Sequence, residues 1–215
     1  LWFTDPDATY HRYGIGSAQR LAAIRQVDAQ LGRVLAWRSA SPEREDCRVI
    51  VCSDHGQVTG RERIDIRSEA AAAGLPIAEP GMHDGAFVGS IDYCGTIRVI
   101  PPDPTRLRRM ADWLMEQPWC GPVFTTTRTD IEGIVPGTFS LALAGIDHTR
   151  SPQLCYTMAA DDRPNEWGLP GSCSYDSPEI RPGGGIHGGL HPIEMNNLLG
   201  LNGTGIPRGY LANSP

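Results

Sequence analysis

Across residues 17–38 the apolar side chains Leu21, Ile24, Val27, Leu31, Val34 and Leu35 recur at spacings of three and four, the period of a helix with one apolar face. Ser17 stands where the N-cap belongs. A polar turn, Ser39-Ala40-Ser41-Pro42-Glu43, then leads into Cys47-Arg48-Val49-Ile50-Val51-Cys52, which stops at Ser53-Asp54-His55-Gly56. So short and β-branched a run predicts a strand covered on both faces, as in a parallel sheet. Helix, buried strand and a polar strand end together predict an α/β fold. They also put Ser53-Asp54-His55-Gly56 at the carboxyl end of a strand, where open α/β sheets bind ligands.

Farther along, the pattern predicts a small α+β segment between about residues 85 and 160. It contains strands at 95–100, 122–126, 138–144 and 153–158 and a helix at 104–117. Residues 161–185, rich in Pro, Gly, Ser and Asp, read as a long loop of the kind that is functional or mobile. Pro192 opens a last helix, with Glu194 in its first turn and Met195, Leu198 and Leu199 as its apolar stripe. Three regions follow: a core part at 1–84, the α+β insertion at 85–160, and a loop returning to the core at 161–215. Met82, Met110, Met115 and Trp113 read as core residues.

The chain has 215 residues, long enough for one large domain or two small ones, and it needs no disulfide or metal merely to have a core. Nineteen Lys+Arg against 25 Asp+Glu give a net charge of −6, with the basic residues dispersed, which argues against binding long nucleic acid. No apolar run approaches the roughly 18 residues that span a bilayer, and no signal-peptide pattern opens the chain. The start at Leu1-Trp2-Phe3, without an initiator Met, reads as a cut or processed end with something preceding it. The six cysteines, Cys47, Cys52, Cys94, Cys120, Cys155 and Cys173, form no C-x-x-C pair, which leaves buried thiols and up to three bridges both open.

Three separated clusters carry metal-ligand side chains with no apolar reason to be there. They are Asp5 and Asp7 with His11, Asp54 with His55, and His187 within Gly183-Gly184-Gly185-Ile186-His187-Gly188-Gly189-Leu190. Carboxylate oxygen mixed with imidazole nitrogen suits Zn, Mn or Fe rather than Cu(I). The neighbouring glycines let the backbone bend so that short side chains can converge. His83, His148 and His191 read as surface or hydrogen-bonding histidines. His191 stands four residues after His187, as in a helical zinc pair, but the two glycines between them and Pro192 oppose a helix there.

Three stretches, Thr4-Asp5-Pro6-Asp7-Ala8-Thr9-Tyr10-His11-Arg12-Tyr13-Gly14, Ser53-Asp54-His55-Gly56 and His187-Gly188-Gly189-Leu190-His191-Pro192-Ile193-Glu194-Met195, resemble successive metal-site motifs of the type I phosphodiesterase/nucleotide pyrophosphatase family of the alkaline phosphatase superfamily. Order and spacing agree, and the Pro164-Asn165-Glu166-Trp167-Gly168-Leu169-Pro170-Gly171 loop also looks like this family's. The resemblance implies a mainly parallel sheet flanked by helices, with the α+β insertion covering one rim of the site. It implies two divalent ions, zinc foremost: Asp7, His11 and His187 would hold one, and Asp54 and His55 would contribute to the other. Asp5 would then be a turn or supporting residue. A further aspartate and the Thr or Ser nucleophile would lie ahead of Asp7, outside this chain, so an N-terminal segment or second chain is expected to supply them. A small phosphodiester or nucleotide would be hydrolysed through a covalent phospho-enzyme, and a periplasmic or secreted location is implied. A phosphonoacetate hydrolase of the same superfamily and a non-catalytic metal-binding fragment are the alternative readings.

Overall fold

The structure, a computed structural model, describes residues 1–44, 46–81, 87–207 and 209. Met82 and His83 lie outside the described residues. The chain opens with α1 (Asp7–Tyr13) and α2 (Ala18–Ser39), followed by β1 (Val49–Cys52), β2 (Val58–Arg63), α3 (Ile66–Ala72) and β3 (Ile77–Ala78). Next come β4 (Phe87–Ile91), β5 (Cys94–Val99), α4 (Pro104–Met115), β6 (Cys120–Thr125), β7 (Phe139–Ser140) and β8 (Leu154–Met158). The last part contributes β9 (Ala160–Asp161), β10 (Ser172–Tyr175), β11 (Gly185–Ile186), α5 (Pro192–Met195) and β12 (Leu199–Asn202).

The predicted α2 is present, with Ser17 Oγ accepting from the Arg20 amide at its start. Its apolar stripe is not sunk in a core: Leu21 and Ile24 are exposed and Ala23 is its one buried residue. The best-packed helix is α4, whose Leu107, Met110, Ala111 and Leu114 fall on one face and are buried. Asp103 caps it by accepting from the Thr105 and Arg106 amides, and Pro104 fills the first turn where no amide is needed. This face packs on β6, and Trp119 beyond it stacks edge-on with Trp113 and ties back to α3 through its indole N–H to Glu69 at 2.7 Å. Met110 is core and Trp113 packs against it, whereas Met115 is exposed.

Three sheets form, and they correct the expectation of a mainly parallel one. A six-stranded sheet runs in the order β3-β4-β5-β8-β6-β7, a four-stranded sheet β11-β2-β10-β9, and β1 pairs with β12 alone. Among the described residues, parallel pairing is confined to β3 with β4, β6 with β7 and β2 with β10, and the other pairs are antiparallel. The apolar run at β1 was the basis of the parallel reading, yet Ile50 is 66% exposed and β1 lies antiparallel to β12. Apolarity on both faces of a short strand is compatible with more than one pairing, and hydrogen bonding to a distant partner decides between them.

The span read as loop, residues 161–185, contains β10, buried along its whole length between β2 and β9. Ser172 and Ser174 hide this strand from a hydropathy reading. The predicted strand at 138–144 shrinks to β7, with turns after it, and the last helix stops at Met195. Met195, Leu198 and Leu199 are exposed, and Leu199 opens β12 instead of continuing a stripe. No helix among the described residues is long and apolar enough to cross a membrane. All six cysteines are free, and burial pushes the Cys120 and Cys173 thiols up to about 12.

Two glycines give opposite expectations. In β5, a Cβ on Gly95 would meet the Tyr156 ring at 2.0–2.4 Å, and Tyr156 is fully buried in the facing strand. Gly32, inside α2, has open space around it. Gly95→Ala is therefore expected to destabilise by about 1–3 kcal/mol through overpacking. Gly32→Ala is expected to stabilise by roughly 0.5–1 kcal/mol through helix propensity. Urea denaturation midpoints at unchanged slope measure both.

Candidate metal centre

The first cluster is set on α1. Asp7 and His11 stand four residues apart, so one helical turn puts both side chains on the same face. The start of this short helix is held by Asp5, whose Oδ1 accepts from the Thr9 hydroxyl at 2.6 Å and the Thr9 amide at 3.2 Å. Asp5 thus supports the helix, and Asp7 is the carboxylate that faces the site.

His187 arrives from the other end of the chain. It follows β11, whose Gly185 and Ile186 pair antiparallel with Thr59 and Val58 of β2. The loop before it runs close over α1: a Cβ on Gly184 would come within 2.5 Å of the His11 carbonyl, a gap that only glycine allows. His11 Nδ1 donates to the Gly185 carbonyl at 2.7 Å, because a carbonyl can only accept. That bond makes Nε2 the atom that faces Asp7 Oδ1, 3.4 Å away: in the neutral ring it holds a lone pair, and in the protonated ring it donates to the carboxylate. His187 Nε2 is 3.8 Å from the same oxygen, and one ligand atom from each of the three residues lies within 4.8 Å of the others.

Asp54 and His55 sit beside this group. The His55 ring stacks on His187 with centroids 3.7 Å apart, and its Nδ1 donates to the Gly56 carbonyl at 2.9 Å. Its Nε2 is thereby turned toward Asp54 Oδ1, 3.5 Å away, on an exposed carboxylate. His191, the other histidine of the last motif, faces elsewhere: it is buried, caps α5 and meets Asp162 through Nε2 at 3.1 Å. His148 is exposed and accepts from the Arg150 amide.

Two residues at the site carried no signal in the sequence. Tyr93, in the turn between β4 and β5, stacks on His11 at 5.4 Å and meets His187 edge-on at 5.2 Å, so the six-stranded sheet reaches the site through a hairpin tip. Burial, with Asp92 beside it, pushes its phenol up to about 12, which keeps it neutral. Gln57, two residues after His55, donates its amide to Asp7. Neither belongs to a residue class or spacing that marks a site.

At Asp7 and His187 the electrostatics favour the forms that bind a cation, and at His11 they favour the protonated ring. Burial, then the neighbouring His55, pushes His187 down to about 4, so its imidazole is neutral near pH 7. Asp7 ends below the usual carboxylate range: burial opposes this, but the hydrogen bond to His11 and the three histidines outweigh it. His11 is raised, first by its bond to Asp7 and against the effect of burial. In the unfolded chain His187 takes up a proton as the pH falls below about 6.5. In the folded chain it does so near 4, so it lowers stability as the pH drops through that window. His11 acts in the opposite sense: its raised value adds stability that is lost as the pH rises through it. With metal chelated, the NMR titration of the ring protons is expected to place His187 near 4 and His11 above the ordinary imidazole value. A His187 midpoint near 6.5 would contradict the burial seen here.

One carboxylate oxygen and two imidazole nitrogens, brought together from positions up to 180 residues apart, match the donor set of a zinc-type site. His187→Ala is expected to abolish Zn²⁺ binding to this group, while Asp54→Ala leaves it largely intact. Competition titration against a chromophoric chelator distinguishes the two variants.

Comparison with known proteins converges on one group. Residues 1–90 match the profile of the family described as type I phosphodiesterase / nucleotide pyrophosphatase. Human (Homo sapiens) ectonucleotide pyrophosphatase/phosphodiesterase family member 7 is 36% identical over 63 residues, 29% of this chain and 14% of the human protein. The solved structure of murine ectonucleotide pyrophosphatase/phosphodiesterase 5 superposes with a TM-score of 0.58 at 16% identity, over 94% of this chain and 46% of that one. An inactive variant of the murine protein in complex with AMP gives the same TM-score at 17% identity. The chain thus spans less than half the length of the solved relative and a seventh of the human one.

Proposed function

We propose that this chain, whose residues 1–90 match the type I phosphodiesterase/nucleotide pyrophosphatase profile, belongs to that family and forms part of a metal-dependent centre that hydrolyses phosphodiester or pyrophosphate bonds, with a small nucleotide-like substrate. The observation that carries this reading is the convergence of Asp7, His11 and His187 on one point, with His55 stacked against His187. A nucleotide as the substrate class is supported by the AMP bound to the murine relative.

The residues present fit a divalent ion. Asp7 supplies an anionic oxygen, His187 a nitrogen that burial keeps unprotonated, and His11 an Nε2 that a bound ion would hold in place of the proton shared with Asp7. Asp54 and His55 would contribute to a second ion beside it. When bound, two such ions stabilise charge on the phosphoryl oxygens and lower the pKa of the attacking oxygen. The remaining work falls to the chain. Gly185 keeps His11 in one tautomer, Tyr93 walls the histidine rings on one side, and the β2–β11 pairing holds His187 against the segment that carries His55. In this proposal the nucleophile is a Thr or Ser hydroxyl. Its oxygen bonds to phosphorus as the alcohol or nucleotide leaves with the hydroxyl's proton, and water then cleaves the phospho-enzyme, releasing the phosphate and restoring the hydroxyl.

The natural polypeptide carrying this sequence, assayed with a nitrophenyl phosphodiester and with phosphonoacetate, tests the reading. Turnover of the diester that a chelator abolishes and Zn²⁺ restores is expected. His187→Ala is expected to lower kcat/KM by at least about 100-fold, more than the loss of a supporting residue costs. Turnover of phosphonoacetate in place of the diester would overturn the substrate class, and diester turnover untouched by chelation would overturn the metal centre.

A further inference from the structure

Gln57 is a polar side chain in an apolar setting. It directly precedes β2, is only 7% exposed, and is followed by Val58 at the heart of the core. Its Nε2 donates to Asp7 Oδ1, the same oxygen that faces the Nε2 atoms of His11 and His187. The orientation of the amide is forced, since a carboxylate only accepts and would repel the amide oxygen. Turned this way, Oε1 is buried with no hydrogen-bond partner among the described residues. It lies against the backbone of Gly185, where a Cβ would approach it to 1.9 Å.

A buried amide satisfied at one end is unfavourable, and an apolar side chain of equal volume would fill the same space without that cost. What the amide supplies and an apolar side chain cannot is a fixed donor to Asp7. An amide also donates without positive charge, whereas Lys or Arg in its place would repel a cation bound at Asp7. Gln57 is moreover rigidly joined to the neighbouring cluster. Two residues earlier stands His55, and Gly56 between them is locked to α5 by its N–H, which donates to the Glu194 carbonyl at 2.8 Å, so close to Ile193 that a Cβ would meet its carbonyl at 2.1 Å.

We propose that Gln57 is a positioning residue: its amide holds the Asp7 carboxylate in the orientation that completes the Asp7–His11–His187 set, and it fastens that set to the segment bearing Asp54 and His55. The inference rests on reading those three residues as ligands to one ion. Two roles follow from one side chain. Gln57 selects the Asp7 rotamer, and it keeps the two clusters at a constant separation.

Two variants remove the contact by different routes. Gln57→Met keeps the volume and discards the donor, and Gln57→Asn keeps the amide but shortens its reach. Zn²⁺ affinity is measured by competition titration on the whole chain, the Co²⁺ form is examined by its visible absorption, and folding is followed by circular dichroism with chelator present. Both variants are expected to bind Zn²⁺ roughly 10–100-fold more weakly than the parent and to shift the Co²⁺ absorption, the cost typical of losing a partner that orients a ligand. Thr157→Val is the control. Thr157 is also buried and its hydroxyl also lacks a partner, but it lies in β8, and the variant is expected to leave both readings unchanged. If Gln57→Met fails to fold, Gln57→Asn carries the test. A folded variant with the parent's Zn²⁺ affinity and Co²⁺ spectrum would overturn the role of Gln57. A parent chain that binds no Zn²⁺ would overturn the ligand reading beneath it, which is a distinct result.

Discussion

The pairing of two residues, Gly185 and Ile186, with the start of β2 governs everything assembled around it. That contact lays the C-terminal part of the chain beside the segment that follows Asp54 and His55, and it brings the Gly185 carbonyl to His11. One short antiparallel bridge therefore sets the position of His187 relative to His55 and the tautomer of His11 together. Shortness is tolerable because both strand residues are buried, with Ile186 packed in the core beside Val58. Hydrophobic burial holds the strand, and the strand's backbone holds the imidazoles.

The site is built on three scaffolds of different stiffness. A helix of seven residues, about two turns, held at its start by Asp5 and Thr9, presents Asp7 and His11. The segment between β1 and β2, clamped by α5, presents His55 and Gln57. The hairpin between β4 and β5 presents Tyr93 from the six-stranded sheet. In a cluster of three histidines and a carboxylate, burial keeps His187 neutral while the hydrogen bond to His11 and the three histidines keep Asp7 ionised, so these two groups suit a cation before any arrives, and His11 has a proton to give up. Such preorganisation lowers the cost of assembling a metal site and makes the residues behind the ligands matter nearly as much as the ligands.

α4, β5, β6 and β8 were legible because their sequence period matches their own burial. α2 was legible from its helical spacing and its Ser17 cap alone, since its apolar stripe stays largely outside the core. β10 was not legible, because its two serines are buried by neighbours that are distant in sequence. The direction of the sheets was not legible either, since β1 reads the same whether its partner runs alongside or against it.

For the site, the sequence by itself displayed the residue types that could hold a metal: Asp7 and His11 four residues apart, Asp54 and His55 at a strand end, and His187 among glycines. Those are properties of residue type and local spacing, which a linear chain displays in full. Only the tertiary structure decided that Asp7, His11 and His187 share one point, that His55 stacks on His187, that His191 turns away to cap a helix, and that Gln57 and Tyr93 stand behind that cluster. The reason is physical: a supporting residue needs only the right atom in the right place. An amide or a phenol has no signature spacing, so its function exists once the fold has brought its partner to it.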